Sequence, residues 1–300
     1  MRDIMYRIGV DLGGTNIAAG MVNDDGKIIA QKSLPANSQR GPQAVLADIV
    51  QLCKNLMDET ATSARHVGIG CPGTVNSKEG VILTAPNIGF HDIPISQEVS
   101  KLLNIPVYID NDANCAALGE AKFGAAKGYE TSVTITLGTG VGGGIIIDGK
   151  IYTGPFFGAG EVGHQIIRAG GAMCGCGKPG CWEAYASATA LIRDASGLAI
   201  EGDITAKKVF DMADGGDVSA KNIIDAYIEN LCIGLSNIVN LLQPEIIVIG
   251  GGISGRGQSL IDAIHNQIPD LVLGGNVVTK FGIASLGNDA GIIGAACLGE

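Results

Sequence analysis

The residues best suited to chemistry lie in one stretch, 161–183, which reads EVGHQIIRAGGAMCGCGKPGCWE. His164, Cys174, Cys176 and Cys181 offer one ring nitrogen and three sulfurs, a donor set that binds zinc tetrahedrally. Four protein ligands close such a site, so its metal would position the chain and would not activate a substrate or water. Gly175, Gly177 and Gly180 let the loop curl tightly, because glycine takes positive φ without steric cost. A reduced loop without metal, or a disulfide, is the alternative. Two acids, Glu161 and Glu183, bracket the segment.

A second set of residues could hold phosphate. Glycine makes up 46 of 300 residues, about twice the usual ~7%, and it clusters at Gly13-Gly14, at 138–144 and at 250–252. Asp11-Leu12-Gly13-Gly14-Thr15-Asn16 reads as a tight turn between two strands. Its bare backbone would admit an anion, Thr15 adds a hydroxyl donor, and Asp11 could hold Mg2+ through water. The pattern returns 125 residues later, where Thr136-Leu137-Gly138-Thr139-Gly140 overlays residues 11–15, and Asp148-Gly149-Lys150-Ile151 matches Asp25-Gly26-Lys27-Ile28. The chain therefore reads as a diverged duplication, with two lobes, a cleft between them, and a glycine turn from each to grip a polyphosphate. A pair of purely structural hairpins is the alternative.

These groups need elements to position them. Val45, Ile49, Leu52 and Leu56 share one face of a helix expected over 42–60. A central strand is expected at 66–70, ending in Cys71-Pro72-Gly73, then a loop with Pro86-Asn87 and a helix over 95–103. A strand at 106–109 delivers Asp110-Asn111-Asp112-Ala113-Asn114 into a helix start, a common place for functional groups in α/β folds. Further helices are expected over 187–195, 221–242, 257–267 and 289–298, and a last strand over 277–283. The run 245–253 reads as a buried strand opening onto three glycines, which serve either a ligand's base or close helix–strand packing.

Composition narrows the partners. A formal net charge of −10 and a pI near 4.8 argue against nucleic acid or an anionic membrane as a general partner. The N-terminal MRDIMYRIGVD has no long apolar segment, and no apolar run reaches the ~18 residues of a membrane span. Cys53, Cys71, Cys115, Cys232 and Cys297 have no framework spacing and read as buried reduced thiols. A soluble cytoplasmic protein is expected.

Glu161-Val162-Gly163-His164, followed by the Cys174-to-Glu183 run with its Cys-x-Cys-Gly-x-x-Gly-Cys-x-Glu pattern, resembles the signature of the ROK family (repressor, open reading frame, kinase). Most enzymes of that family are ATP-dependent sugar kinases. Matches at the N-terminus, in the middle and near residue 250 extend the resemblance over essentially the whole chain, and the run 181–187 is similar to that of its bacterial glucokinases. The resemblance implies an α/β, two-lobed actin-like ATPase (ribonuclease H-like, duplicated) fold with a cleft between the lobes. It places residues 1–113 in a smaller N-terminal lobe, with a C-terminal helix at 288–300 packing back on it, and 114–287 in a larger lobe carrying the zinc knuckle.

The implied reaction moves the γ-phosphoryl of MgATP to the 6-hydroxyl of glucose. N-acetylmannosamine, N-acetylglucosamine and fructose are the alternative acceptors. Asp112 is implied as general base, with Gly73, Asn87, Asn111, Glu161, His164 and Glu183 on the sugar; carboxylates and amides suit a polyol. Asp11, Gly13, Gly14, Thr15, Asn16, Gly138, Thr139 and Gly140 would serve the phosphates and Mg2+, and Gly251 and Gly252 the adenosine. A homodimer is also implied. The rival is a sugar-responsive repressor on the same core, which would need an N-terminal helix-turn-helix; a first strand near Ile8 leaves no room for it, and the acidic balance argues the same way.

Overall fold

The computed structural model describes residues 5–275 and 277–300. Residues 1–4 of the N-terminal stretch considered above lie outside that range. The chain opens with strands β1 (Arg7–Leu12), β2 (Asn16–Val22) and β3 (Ile28–Pro35), then helix α1 (Pro42–Thr60) and strand β4 (Val67–Cys71). There follow β5 (Thr74–Asn76), β6 (Val81–Ala85), β7 (Phe90–Ile93), α2 (Ile95–Leu103), β8 (Val107–Asn111) and α3 (Asp112–Phe123). The second half runs β9 (Ser132–Leu137), β10 (Val141–Ile147), β11 (Lys150–Ile151), α4 (Glu183–Ala186), α5 (Ala188–Asp194), α6 (Ala206–Asp214) and α7 (Val218–Leu242). It closes with β12 (Ile246–Gly250), α8 (Gln258–Gln267), β13 (Lys280–Ile283) and α9 (Ala290–Ala296).

Two five-stranded sheets carry the fold, in the orders β3-β2-β1-β4-β8 and β11-β10-β9-β12-β13. Their plans match strand for strand. β1 pairs antiparallel with β2 and parallel with β4, which pairs parallel with β8. β9 pairs parallel with β12, and β12 parallel with β13. The duplication read from the two glycine turns is thus a duplication of sheet topology. β1, β4, β9 and β12 are buried along nearly their whole length, as strands covered on both faces must be, which explains their continuous apolar runs.

The chain divides into two compact units. The first runs through Glu130 and takes in Gly144–Gly160 and Ser285–Glu300; the second comprises Thr131–Gly143 and Glu161–Ala284. The boundary expected after residue 113 falls inside α3, and all of α3 belongs to the first unit. The reason is a close helix crossing: a Cβ on Gly294 of α9 would overlap the Cys115 carbonyl of α3. Gly9 and Gly68 stand side by side on β1 and β4, and a Cβ on either would overlap the carbonyl of Ile292 or Ala295, so the strands form a flat floor beneath α9. Glu120 of α3 completes the joint. Its carboxylate, 1% exposed, accepts hydrogen bonds from Ala125 N (2.7 Å), Ser285 N (3.0 Å) and Leu286 N (2.9 Å).

Several elements differ from expectation. Residues 74–93, in which only the loop at Pro86-Asn87 was expected, form the three-stranded sheet β5-β6-β7, whose strands are too short to carry a visible alternation. The amphipathic α6 was not expected. The helix expected over 187–195 is α5, but a short helix, α4, precedes it unexpectedly; the two are separate because Ser187 is extended (φ −77°, ψ 160°) and its hydroxyl caps α5 by accepting from Ala190 N at 3.0 Å. Among the described residues, no helix is long and apolar enough to cross a membrane.

Candidate active site and metal centre

In the first unit, β8 ends where α3 begins, and three carboxylates collect near this junction. Asn111 caps α3: its side-chain oxygen accepts from Ala113 N (2.9 Å) and Asn114 N (3.2 Å), while its amide nitrogen donates to the Gly73 carbonyl at 3.1 Å. Most of that amide is therefore engaged in shaping the junction, and Gly73 serves as its acceptor. Gly73 must be glycine, since its φ is +88° and a Cβ would overlap the Thr84 carbonyl. Asp110 is buried, accepts from Asn114 Nδ2 at 2.8 Å, and is pushed above the usual carboxylate range by burial. Asp112, half-buried at the first helical position, accepts from Ala113 N at 2.8 Å. Burial raises its pKa and the hydrogen bonds partly oppose that rise.

Asp11, at the end of β1, is pushed up to about 6, first by burial and then by the charge of Asp112. Next to it, Gly13 N donates to the Asn16 carbonyl (2.9 Å) and Ala36 N to the Thr15 carbonyl (2.9 Å), which closes the turn expected there. Gly14 has open space where its side chain would be. Gly291 of α9 packs on the Asp11 carboxylate, a Cβ there falling 3.3 Å from its Cγ. Asn87 lies exposed on a 3-10 turn, Pro86–Ile88, that ends on Gly89 at φ 70°.

Burying an anion at Asp11 has a measurable cost. Its proton is held up to pH about 6 in the folded chain but only to 3.8 when unfolded, so the native state binds more protons between those values and stability falls as pH rises through that window. Asp11→Asn, in the absence of Mg2+ and nucleotide, is expected to stabilise the chain at pH 7 by about 3 kcal/mol. Thermal melts of both proteins between pH 4.5 and 7.5 test this: the Tm gain should shrink towards pH 4.5, and equal Tm values at pH 7 would refute the charge penalty.

In the second unit the metal segment is assembled as the spacing suggests. The ligand atoms of His164, Cys174, Cys176 and Cys181 all lie within 4.8 Å of one another. Cys174 Sγ is 3.8 Å from His164 Nδ1, and Cys176 Sγ is 3.6 Å from Cys181 Sγ. A tetrahedron built on 2.3 Å zinc–sulfur bonds has edges of about 3.8 Å, so the donor set fits that ion. None of the three cysteines is in a disulfide. Gly177 and Gly180 take φ of 83° and 89° at the bends.

The loop is docked on α7. Trp182 is fully buried, its indole N–H donates to the Asn230 carbonyl at 2.9 Å, and a Cβ on Gly234 would overlap its ring. Gln165 joins the same helix, accepting from Asn237 Nδ2 at 2.9 Å. Glu161 and His164 are exposed at the two ends of a short 3-10 turn. Glu183 is half-buried, and its carboxylate accepts from Cys174 Sγ (3.2 Å) and Val141 N (3.1 Å).

The second glycine turn, Gly138 to Gly140, closes with Gly138 N donating to the Gly140 carbonyl at 3.0 Å. Gly251, at φ 79°, lies against the Leu137 backbone, and Gly252 lines a cavity of about 160 Å3 with Phe210, Ile253 and Arg256. The Arg256 guanidinium stacks over the Phe210 ring at 4.9 Å. Phe210 and Arg256 carry no sequence signal for this placement, since they come from separate elements, α6 and the turn before α8. Elsewhere, burial pushes Cys53, Cys232 and Cys297 up to about 12, in keeping with inert thiols.

The repeated sheets and paired glycine turns define a two-lobed actin-like ATPase fold. Residues 7–300 match the ROK family, and the chain belongs to it. It is 40% identical to a glucokinase of Halalkalibacterium halodurans, an alignment covering 99% of this chain and 96% of that one. Among solved structures, a ROK hexokinase from Thermus thermophilus superposes with a TM-score of 0.85 at 33% identity, covering 97% of both chains. A ROK family glucokinase from Streptomyces griseus, in complex with glucose and AMPPNP, gives 0.82 at 34% identity and 98% of both.

Proposed function

We propose that this chain is an ATP-dependent hexose kinase that transfers the γ-phosphoryl group of MgATP to the 6-hydroxyl of glucose. The observation that carries the reading is Asp112, a half-buried carboxylate made more basic by burial at the strand–helix junction of this fold. Phosphoryl transfer asks little covalent help of a protein; it needs placement, charge compensation and an acceptor for the hydroxyl proton. Asp112 accepts that proton. Asp11 anchors Mg2+, which when bound offsets phosphate charge, and Thr15 and Thr139 donate to the phosphates beside the bare backbones of Gly13, Gly14, Gly138 and Gly140. Asn16 continues the first turn.

Glu161, His164, Glu183, Asn87 and Asn111 bond the sugar hydroxyls, with Gly73 holding Asn111. Zinc, held by His164, Cys174, Cys176 and Cys181, would cross-link the segment bearing three of these groups and so reduce the entropy lost on sugar binding. The cavity beside Gly251 and Gly252, with Phe210 and Arg256 on its wall, suits the adenosine. The enzyme is placed in the cytoplasm, at the entry to glycolysis, as a homodimer.

The acceptor is tested by kcat/KM with MgATP for glucose, mannose, fructose, N-acetylglucosamine and N-acetylmannosamine under one condition. Glucose is expected to lead. An N-acetylated sugar or fructose ahead by roughly tenfold, about 1.4 kcal/mol in transition-state binding, would overturn the choice of glucose and leave the kinase in place. No turnover of any of the five would remove the sugar kinase reading.

A further inference from the structure

Residues 183–189 hold the second glycine turn at three points. Val141 N donates to Glu183 Oε2 at 3.1 Å, Ala188 N donates to the Gly138 carbonyl at 2.8 Å, and the Thr189 hydroxyl donates to the Thr139 carbonyl at 2.8 Å. Gly140 lies so close to Glu183 that a Cβ there would overlap the carboxylate. In a trans peptide the C=O and N–H point in opposite directions. Holding the Gly138 and Thr139 carbonyls towards 188–189 therefore turns the Thr139 and Gly140 N–H groups away from that segment. Successive N–H groups fixed this way form an anion-binding concavity, whereas a glycine-rich turn left untethered would sample many peptide orientations.

The holding segment is continuous with the metal loop. Glu183 follows Cys181 by two residues, and Trp182 between them is docked on α7. Thr189 is not needed to start α5, because Ser187 already caps that helix. Its hydroxyl is directed instead to the turn. Resting on the phosphotransfer reading above, we infer that Thr189 is a positioning residue for the nucleotide phosphates, and that Glu183 to Thr189 tethers the phosphate turn to the metal loop. One segment thus sets the groups facing sugar and the donors facing phosphate.

The test is calorimetric titration of the metal-replete full chain, as wild type, Thr189→Val and Thr189→Ser, with MgADP and separately with glucose. Losing one hydroxyl-to-carbonyl bond is expected to weaken MgADP roughly fivefold in Thr189→Val. Glucose affinity should stay within about twofold, and serine, which keeps the hydroxyl, should restore MgADP binding. MgADP affinity unchanged in Thr189→Val overturns the inference. So does an equal loss for both ligands that serine does not repair, which marks a general structural role. A wild type that does not bind MgADP at all overturns the phosphotransfer reading beneath it, an outcome distinct from the other two.

Discussion

Asp112→Asn is expected to lower kcat by at least about 100-fold while glucose still binds, the scale of removing a positioned general base. The substitution keeps the size of the side chain and an oxygen for the Ala113 N–H bond at the start of α3, so the junction should survive. What it removes is the ability to take a proton from the attacking hydroxyl. Burial makes the carboxylate a better base than an exposed aspartate, and the hydrogen bonds to it limit that gain. Steady-state turnover and calorimetric glucose affinity on the same preparation decide the point. Turnover near that of the wild type would take Asp112 out of the chemistry, and loss of glucose binding alongside kcat would recast it as a binding residue.

Freshly purified, reduced protein is expected to carry about one zinc per chain, and Cys176→Ala to lose it. Cys176 is the exposed cysteine of the ligand set, so its truncation opens no core cavity and isolates the effect of the metal. Replacing partners of metal ligands commonly costs 10–100-fold in affinity or activity, and removing a ligand should cost at least about tenfold in glucose affinity here. Stability should fall with it, because metal binding to such a loop is part of its folding free energy. Elemental analysis, thermal melts and glucose titration of both proteins make the comparison. Absence of zinc from the wild type would end the assignment, while normal glucose affinity in a zinc-free variant would end the positional role. A parallel fall in MgADP affinity would accord with the tether through Glu183 to Thr189.

The cluster of His164, Cys174, Cys176 and Cys181 was legible because all four lie within 18 residues, counting from His164 to Cys181, so local spacing alone brings them together. Asp112 was legible for a similar reason, since an acid at a strand-to-helix junction is a local pattern, as was each glycine turn with its flanking apolar runs. Even the duplication could be read, because topology repeats wherever the local pattern repeats.

Tertiary structure decided the rest. That α3 belongs with the first unit depends on the backbone of α9 lying against glycines of β1, β4 and α3, contacts about 170 to 280 residues apart that no local pattern announces. The rise of Asp11 to about 6 needs both its burial and the charge of Asp112, 101 residues away. Phe210 stacks with Arg256, Trp182 finds its notch at Gly234, and Thr189 reaches the Thr139 carbonyl through the same kind of remote closure. Sequence determines which groups the chain can offer, since short-range geometry follows from residue type. Which of them meet, and how strongly burial changes their charge, is set by long-range packing, where steric fit and desolvation act on residues that the chain itself keeps far apart.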